Sequence, residues 1–172
     1  DFDEELDVVV VRTIRDTDFQ EKLQKKTRTS GCAVGTSFGD IMEGLEEVSL
    51  AESQVCTSWM YELASKINRT ESLYLKVGAI HGTVLCHKNK PLVYMEDVGR
   101  HNAVDKVSGW MILENISPND KILYTTGRLT SEMVIKAAHM GIPILISRSG
   151  FTAWGVQLAK KLNLTLIGRM RG

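Results

Sequence analysis

Between residues 121 and 168 the chain alternates short apolar runs with amphipathic stretches, and this alternation narrows the possible folds more than any other feature. Lys121-Ile-Leu-Tyr-Thr-Thr126 has strand composition, Gly127-Arg-Leu-Thr-Ser131 reads as a joint, and residues 132–140 follow a helical period. Gly141 and Pro143 end that helix. Ile144-Leu-Ile-Ser147 is a second strand, Arg148-Ser-Gly-Phe-Thr152 a second joint and residues 154–162 a second helix, and Thr165-Leu-Ile-Gly168 closes the series. Strands that alternate with helices call for a mainly parallel sheet with helices packed on its faces. Upstream, residues 76–87 and Leu92-Val-Tyr-Met95 are two β-rich runs separated by Lys88-Asn-Lys-Pro91, which predicts a hairpin and makes the sheet mixed.

The stretch Met95-Glu-Asp-Val-Gly-Arg-His-Asn-Ala-Val-Asp-Lys106 joins that hairpin to a further helix. Gly99 lets the chain turn. From Asn102, the expected cap, Ala103, Val104, Val107, Trp110 and Met111 share one helical stripe. His101 and Asp105 fall one turn apart, which predicts that Asp105 orients His101. A carboxylate there would favour a charged imidazole near neutral pH. Asp97, Arg100, His101, Asp105 and Lys106 are expected to form one polar cluster on the ligand-bearing edge.

Arginines recur at the joints: Arg100, Arg128 and Arg148, each beside small or hydroxyl residues. Gly127, Thr130 and Ser131 accompany the second, and Ser147, Ser149, Gly150 and Thr152 the third. In a parallel sheet such joints gather at the carboxyl ends of the strands, where open α/β sheets bind ligands. Guanidinium forks and free helix N–H groups suit phosphate or pyrophosphate.

Lys+Arg and Asp+Glu are equal at 21 each, so the chain lacks the net positive charge of a general nucleic-acid binder. No apolar run reaches membrane-spanning length. Three widely spaced cysteines, Cys32, Cys56 and Cys86, make neither a disulfide framework nor a paired metal motif, which points to the reducing cytoplasm. His81, His87, His101 and His139 are scattered, so no metal site is expected, and His139 reads as a helix C-terminal dipole partner. Length suits one domain, residues 1–172. Near its start Asp7-Val-Val-Val-Val-Arg-Thr-Ile14 reads as a strand. Ser49-Leu-Ala-Glu52 has the form of a capping box opening a helix striped by Val55, Trp59, Leu63 and Ile67.

Cys32 sits in Thr27-Arg-Thr-Ser-Gly-Cys-Ala-Val-Gly-Thr-Ser-Phe-Gly39, a loop rich in glycine and hydroxyl residues, with Lys25, Lys26 and Arg28 nearby. Exposure, N–H donors and positive charge are what hold a thiol as thiolate. The residues leave two readings open, a nucleophile or an ordinary loop cysteine. Cys56 and Cys86 lie in helix and strand patterns, and both are expected to be buried and inert.

Three motifs in order, Glu96-Asp-Val-Gly-Arg-His-Asn-Ala-Val-Asp-Lys106, Thr126-Gly-Arg-Leu-Thr-Ser-Glu-Met-Val134 and Ser147-Arg-Ser149 with Thr152, closely resemble the FdhD/NarQ family of formate dehydrogenase accessory sulfurtransferases. The likeness runs from about Gly78 to Gly172 and extends more loosely to the Cys32 loop. It implies a cytidine-deaminase-like, three-layer α/β/α fold with a mixed sheet, as a cytoplasmic homodimer. It also implies an enzyme that accepts persulfide sulfur from a cysteine desulfurase on Cys32. That sulfur passes to the molybdenum (or tungsten) bis-molybdopterin guanine dinucleotide, bound as substrate, for the formate dehydrogenase catalytic subunit.

The resemblance places that cofactor on Arg100, His101, Gly127, Arg128, Thr130, Ser131, Ser147, Arg148 and Ser149, with the tail Gly168, Arg169, Met170, Arg171 and Gly172 closing over it. The family loop usually reads Cys-Gly-x-Cys-Gly; here Ala33 follows Cys32, Gly35 replaces the second cysteine, and Thr36 the next glycine. Phe151 stands where proline is common. The family's N-terminal strand-rich section and C-terminal tail are expected to be missing. One thiolate suffices to carry sulfur, so loss of the second need not abolish transfer. The alternative is a cofactor-binding chaperone without sulfur chemistry. A deaminase activity is disfavoured, because no His/Cys zinc set accompanies a catalytic glutamate.

Overall fold

A computed structural model describes residues 2–6, 8–10, 44–45 and 47–171. The chain divides into two compact units, residues 1–44 and 45–172. In the first, β1 (Phe2–Asp3) pairs antiparallel with β2 (Val8–Val9). Of the strand expected over residues 7–14, only residues 8–10 are described, and the Cys32 loop lies outside the described residues.

The second unit is the α/β body. Its order is α1 (Thr57–Arg69), α2 (Leu73–Val77), β3 (His81–His87), β4 (Lys90–Asp97), α3 (Arg100–Leu113), β5 (Lys121–Thr125), α4 (Ser131–His139), β6 (Ile144–Ser147), α5 (Ala153–Lys161) and β7 (Thr165–Ile167). The sheet runs β4-β3-β5-β6-β7. β3 is antiparallel to both neighbours, while β5, β6 and β7 are mutually parallel. β4 therefore points the same way as β5, β6 and β7, and all four carboxyl ends meet at one edge. This is the mixed α/β sheet expected.

Strand alternation sorts the core into two faces. Val84, Cys86, Ile122, Tyr124, Ile144 and Ile146 cluster with Leu63 and Ile67 of α1. Leu85, Leu123 and Leu145, of opposite parity, are fully buried, as are Ala103, Val104 and Val107 of α3 and Met133, Val134 and Ala137 of α4. The expected stripe on α3 is thus the buried one, with Trp110 half-buried.

Four local expectations need correction. No helix opens at Ser49; α1 begins after Cys56, which adopts extended backbone and offers no side-chain cap bond. The capping-box pattern is a local signal, whereas the position of α1 is set where Leu63, Ala64 and Ile67 can reach the sheet. Cys56, accordingly, is exposed rather than buried, while Cys86 is buried as expected. The run from residue 76 is strand only from His81. Residues 73–77 form α2, whose start is held by Ser72, its side chain accepting from Leu75 N–H at 3.3 Å, and by Glu96, which accepts from Leu73 and Tyr74 N–H at 2.9 and 2.7 Å. Five residues carry too little periodicity to reveal such a helix. Finally, Gly99 rather than Asn102 is the N-cap of α3.

Candidate functional site

The shared carboxyl edge is assembled by backbone and hydroxyl contacts between successive joints. Ser147 Oγ donates to the Gly127 carbonyl at 2.6 Å and accepts from Ser149 N–H at 2.8 Å, so one buried hydroxyl ties the β5–α4 joint to the β6–α5 joint. Leu129 N–H donates to Gly150 O at 2.9 Å, and Thr152 N–H to Leu129 O at 3.0 Å. Thr125 Oγ1 accepts from Gly127 N–H at 3.1 Å. The chain after β7 joins the same array, with Arg169 N–H donating to Ser149 O at 2.7 Å and Met170 N–H to Ser147 O at 2.9 Å. Such cross-links fix several N–H groups and arginines on one rim.

Close packing places Arg100 there. A Cβ on Gly127 would stand 2.9 Å from Arg100 Cβ and 3.1 Å from its Cδ, so only glycine admits the arginine stem across the β5–α4 joint. Arg100 is 9% exposed, and its Nε has no hydrogen-bond partner among the described residues. Thr130 Oγ1, at the start of α4, is likewise buried without one. A buried guanidinium nitrogen and a buried hydroxyl left open are costly in a protein that has no ligand for them. Arg128 is exposed on the same joint, and Ser131 is buried as the first residue of α4.

The remaining sites divide. Arg148 Nη1 donates to Asn68 Oδ1 of α1 at 2.6 Å, and Asn68 Nδ2 donates to Arg171 O at 3.1 Å. Arg148 is thus tied to α1 and the tail. Gly168, Arg169, Met170 and Arg171 line a cleft of about 270 Å³ with Thr57, Met60, Tyr61 and Ala64 of α1. The α1 residues carried no sequence signal beyond helical polarity. Gly172 and Cys32 lie outside the described residues.

At the start of α3, Asp97 rather than Asn102 organises the turn. Its carboxylate accepts from Gly99 N–H at 2.9 Å and Asn102 Nδ2 at 3.1 Å and pairs with Lys106 at 2.8 Å. These contacts, the Lys106 bond foremost, hold its pKa down at about 2. The expected His101–Asp105 pair does not form. Asp105 bonds Lys136 at 2.5 and 2.6 Å, and His101 Nε2 lies 3.3 Å from Glu132 Oε2 on α4. Helix spacing brings residues 101 and 105 to neighbouring positions, but Asp105 bonds Lys136 of α4 instead, and His101 Nε2, though near Glu132, is buried without a hydrogen bond among the described residues. Nor is His101 a ready cation: burial and then Arg100 lower its pKa, against the opposing pull of Glu132.

In the sequence His81 is one of four scattered histidines, yet it stands at this edge. Its Nδ1 is 3.3 Å from Thr126 Oγ1, which also accepts from Gly82 N–H at 3.0 Å. Burial, then Arg100 and Arg128, lower its pKa. Only the antiparallel course of β3 brings its first residue to the rim formed by the other strands' last residues.

Two histidines held below the ordinary value of 6.5 make an acid-side prediction. The unfolded chain takes protons that the native one resists, so their contribution is fully present above pH 6.5 and lost below it. The melting temperature is expected to fall between pH 7.5 and 5.5, and His101→Gln to flatten that fall. An unchanged slope in the variant would show that His101 is not held neutral.

Among the described residues, no three His, Cys, Asp or Glu side chains are grouped to hold a metal ion, and no helix is long and apolar enough to cross a membrane. The FdhD/NarQ family model matches residues 1–172. A sulfur carrier protein FdhD from Bacillus pumilus (strain SAFR-032) is 30% identical over 172 residues, covering 99% of this chain and 66% of its own length. One from Wolinella succinogenes is 33% identical, covering 96% of this chain and 58% of its own. A crystal structure described as a formate dehydrogenase accessory protein from Desulfotalea psychrophila superposes with a TM-score of 0.67 at 41% identity, over 74% of this chain and 55% of that one. The chain thus spans about three-fifths of the length of these relatives.

Proposed function

The chain belongs to the FdhD/NarQ family, and from that premise we propose that it is a sulfur carrier in formate dehydrogenase maturation, working as a sulfurtransferase. Cys32 thiolate attacks the outer sulfur of a cysteine desulfurase persulfide. A new S–S bond forms at Cys32, and the donor cysteine leaves as thiolate with the electron pair of the broken bond. Cys32 then holds the sulfane sulfur for the molybdenum (or tungsten) bis-molybdopterin guanine dinucleotide, the substrate. The protein would work as a homodimer alongside the formate dehydrogenase catalytic subunit.

The observation that supports the substrate is the rim itself. Arg100 at the start of α3 is buried with Nε open, and Thr130 Oγ1 at the start of α4 is buried and open as well. A guanidinium and a hydroxyl left open at helix starts are the donors that an oxyanion such as pyrophosphate takes. Arg128 adds charge from the exposed side, and Arg148 with the tail offers a second seat next to α1. Gly127, Ser131, Ser147 and Ser149 shape the joints. Gly35, in place of a second loop cysteine, favours one other reading, a cofactor-binding chaperone that transfers no sulfur.

Peptide mass spectrometry after incubation with a cysteine desulfurase and cysteine separates the two. One added sulfur is expected on the peptide bearing Cys32. Cys86 is expected to gain none, since burial pushes its thiol up to about 12 and leaves it protonated at neutral pH. Cys56 is exposed and serves as the internal comparison. Sulfur on no cysteine would favour the chaperone, and sulfur on Cys56 alone would move the carrier site.

A further inference from the structure

Three groups converge on the rim from three different segments. His81 opens β3, Arg100 opens α3, and Arg128 lies between β5 and α4. His81 is bonded on one side only. Its Nδ1 meets Thr126 Oγ1, and Nε2 has no partner among the described residues. Thr126 can serve either charge state of the ring, because a hydroxyl both donates and accepts. It can donate to a bare Nδ1 or accept from Nδ1–H once the ring is charged.

The charges around His81 can be named. Asp97 pairs with it in register on β4, but that carboxylate is taken up by Lys106, Asn102 and Gly99. Glu96 of β4 is occupied by the start of α2. What acts on the imidazole is Arg100 and Arg128, both cationic, together with its own burial. Nothing in this surrounding favours a third cation until an anion arrives. Arg100, nine-tenths buried with Nε open, indicates that an anion is what the rim lacks.

We propose that His81 joins Arg100 and Arg128 in one phosphate seat and takes up a proton when a pyrophosphate oxyanion occupies it. The inference rests on the nucleotide-substrate reading and adds to it a residue and a pH dependence. Bound oxyanion charge offsets the two guanidiniums, the imidazole becomes cationic, and its free Nε2–H is available as a further donor to the ligand. Affinity and protonation are reciprocally linked. Binding must therefore strengthen as the pH falls through the range in which the occupied site is charged and the empty one neutral.

The probe is a diguanosine pyrophosphate, whose two phosphodiester groups keep their charge across the range tested. Calorimetric titration at one pH in two buffers of different ionisation enthalpy counts the protons taken up. Wild type is expected to gain a fraction of a proton per ligand near pH 6.5, and to bind roughly tenfold more tightly at pH 5.5 than at pH 7.5. His81→Gln keeps hydrogen-bonding capacity without titrating. It is expected to bind with no proton uptake and with affinity independent of pH. Proton uptake that persists in His81→Gln, or wild-type binding without uptake, overturns the role of His81 and leaves the nucleotide reading standing. Wild type that does not bind the probe removes both.

Discussion

Cys32→Ser is expected to abolish sulfur loading and the maturation of formate dehydrogenase while leaving the protein folded. Serine is nearly isosteric with cysteine, but its oxygen cannot form the persulfide on which the carrier step depends. Cys86 cannot substitute, being buried in the sheet with its thiol held protonated, so the exposed Cys56 is the thiol to control for. The measurement is formate dehydrogenase activity in cells lacking their own accessory protein, complemented with wild type or variant, together with circular dichroism of each. Full complementation by Cys32→Ser would end the persulfide role. Complementation lost only when Cys56 is also replaced would show that the two thiols share it.

Arg100→Met is expected to separate binding from stability, with opposite signs. Methionine keeps an unbranched stem that can pack across Gly127, but it removes the guanidinium. In the ligand-free protein that guanidinium is buried with Nε open, so its loss is expected to leave the melting temperature unchanged or higher. For a guanine nucleotide the variant loses charged hydrogen bonds to phosphate. At about 1.5–3 kcal/mol, that loss weakens affinity by roughly tenfold to a hundredfold. Titration with GDP and thermal melts with and without it are the two readouts. Added GDP should raise the melting temperature of wild type more than that of Arg100→Met. Equal affinity in the two proteins would remove Arg100 from the ligand site, and a large loss of stability without GDP would make it a structural arginine.

The division between what was legible and what was not follows the range of each interaction. The alternation of residues 121–168, the hairpin before it and the stripe on α3 are local periodicities. They dictated strand and helix because β5 and β6 bury both faces while each helix buries one stripe, and the mixed sheet followed. Arginine at three successive joints was legible for the same reason, since a strand-to-helix joint in such a sheet has only one edge to occupy. Partners across elements were not legible. Asp105 went to Lys136, and His101 came to lie near Glu132 rather than Asp105, through side chains of α4 that helix spacing within α3 does not encode. Arg148 went to Asn68, eighty residues earlier in the chain. His81 looked like a stray histidine until β3, antiparallel to its neighbours, brought its first residue to the rim. Residue type and local period determined which elements form and which edge carries positive charge. Tertiary packing alone decided which charges are paired and which stay open, because a hydrogen bond needs its partners at about 3 Å and those partners come from elements far apart in the chain.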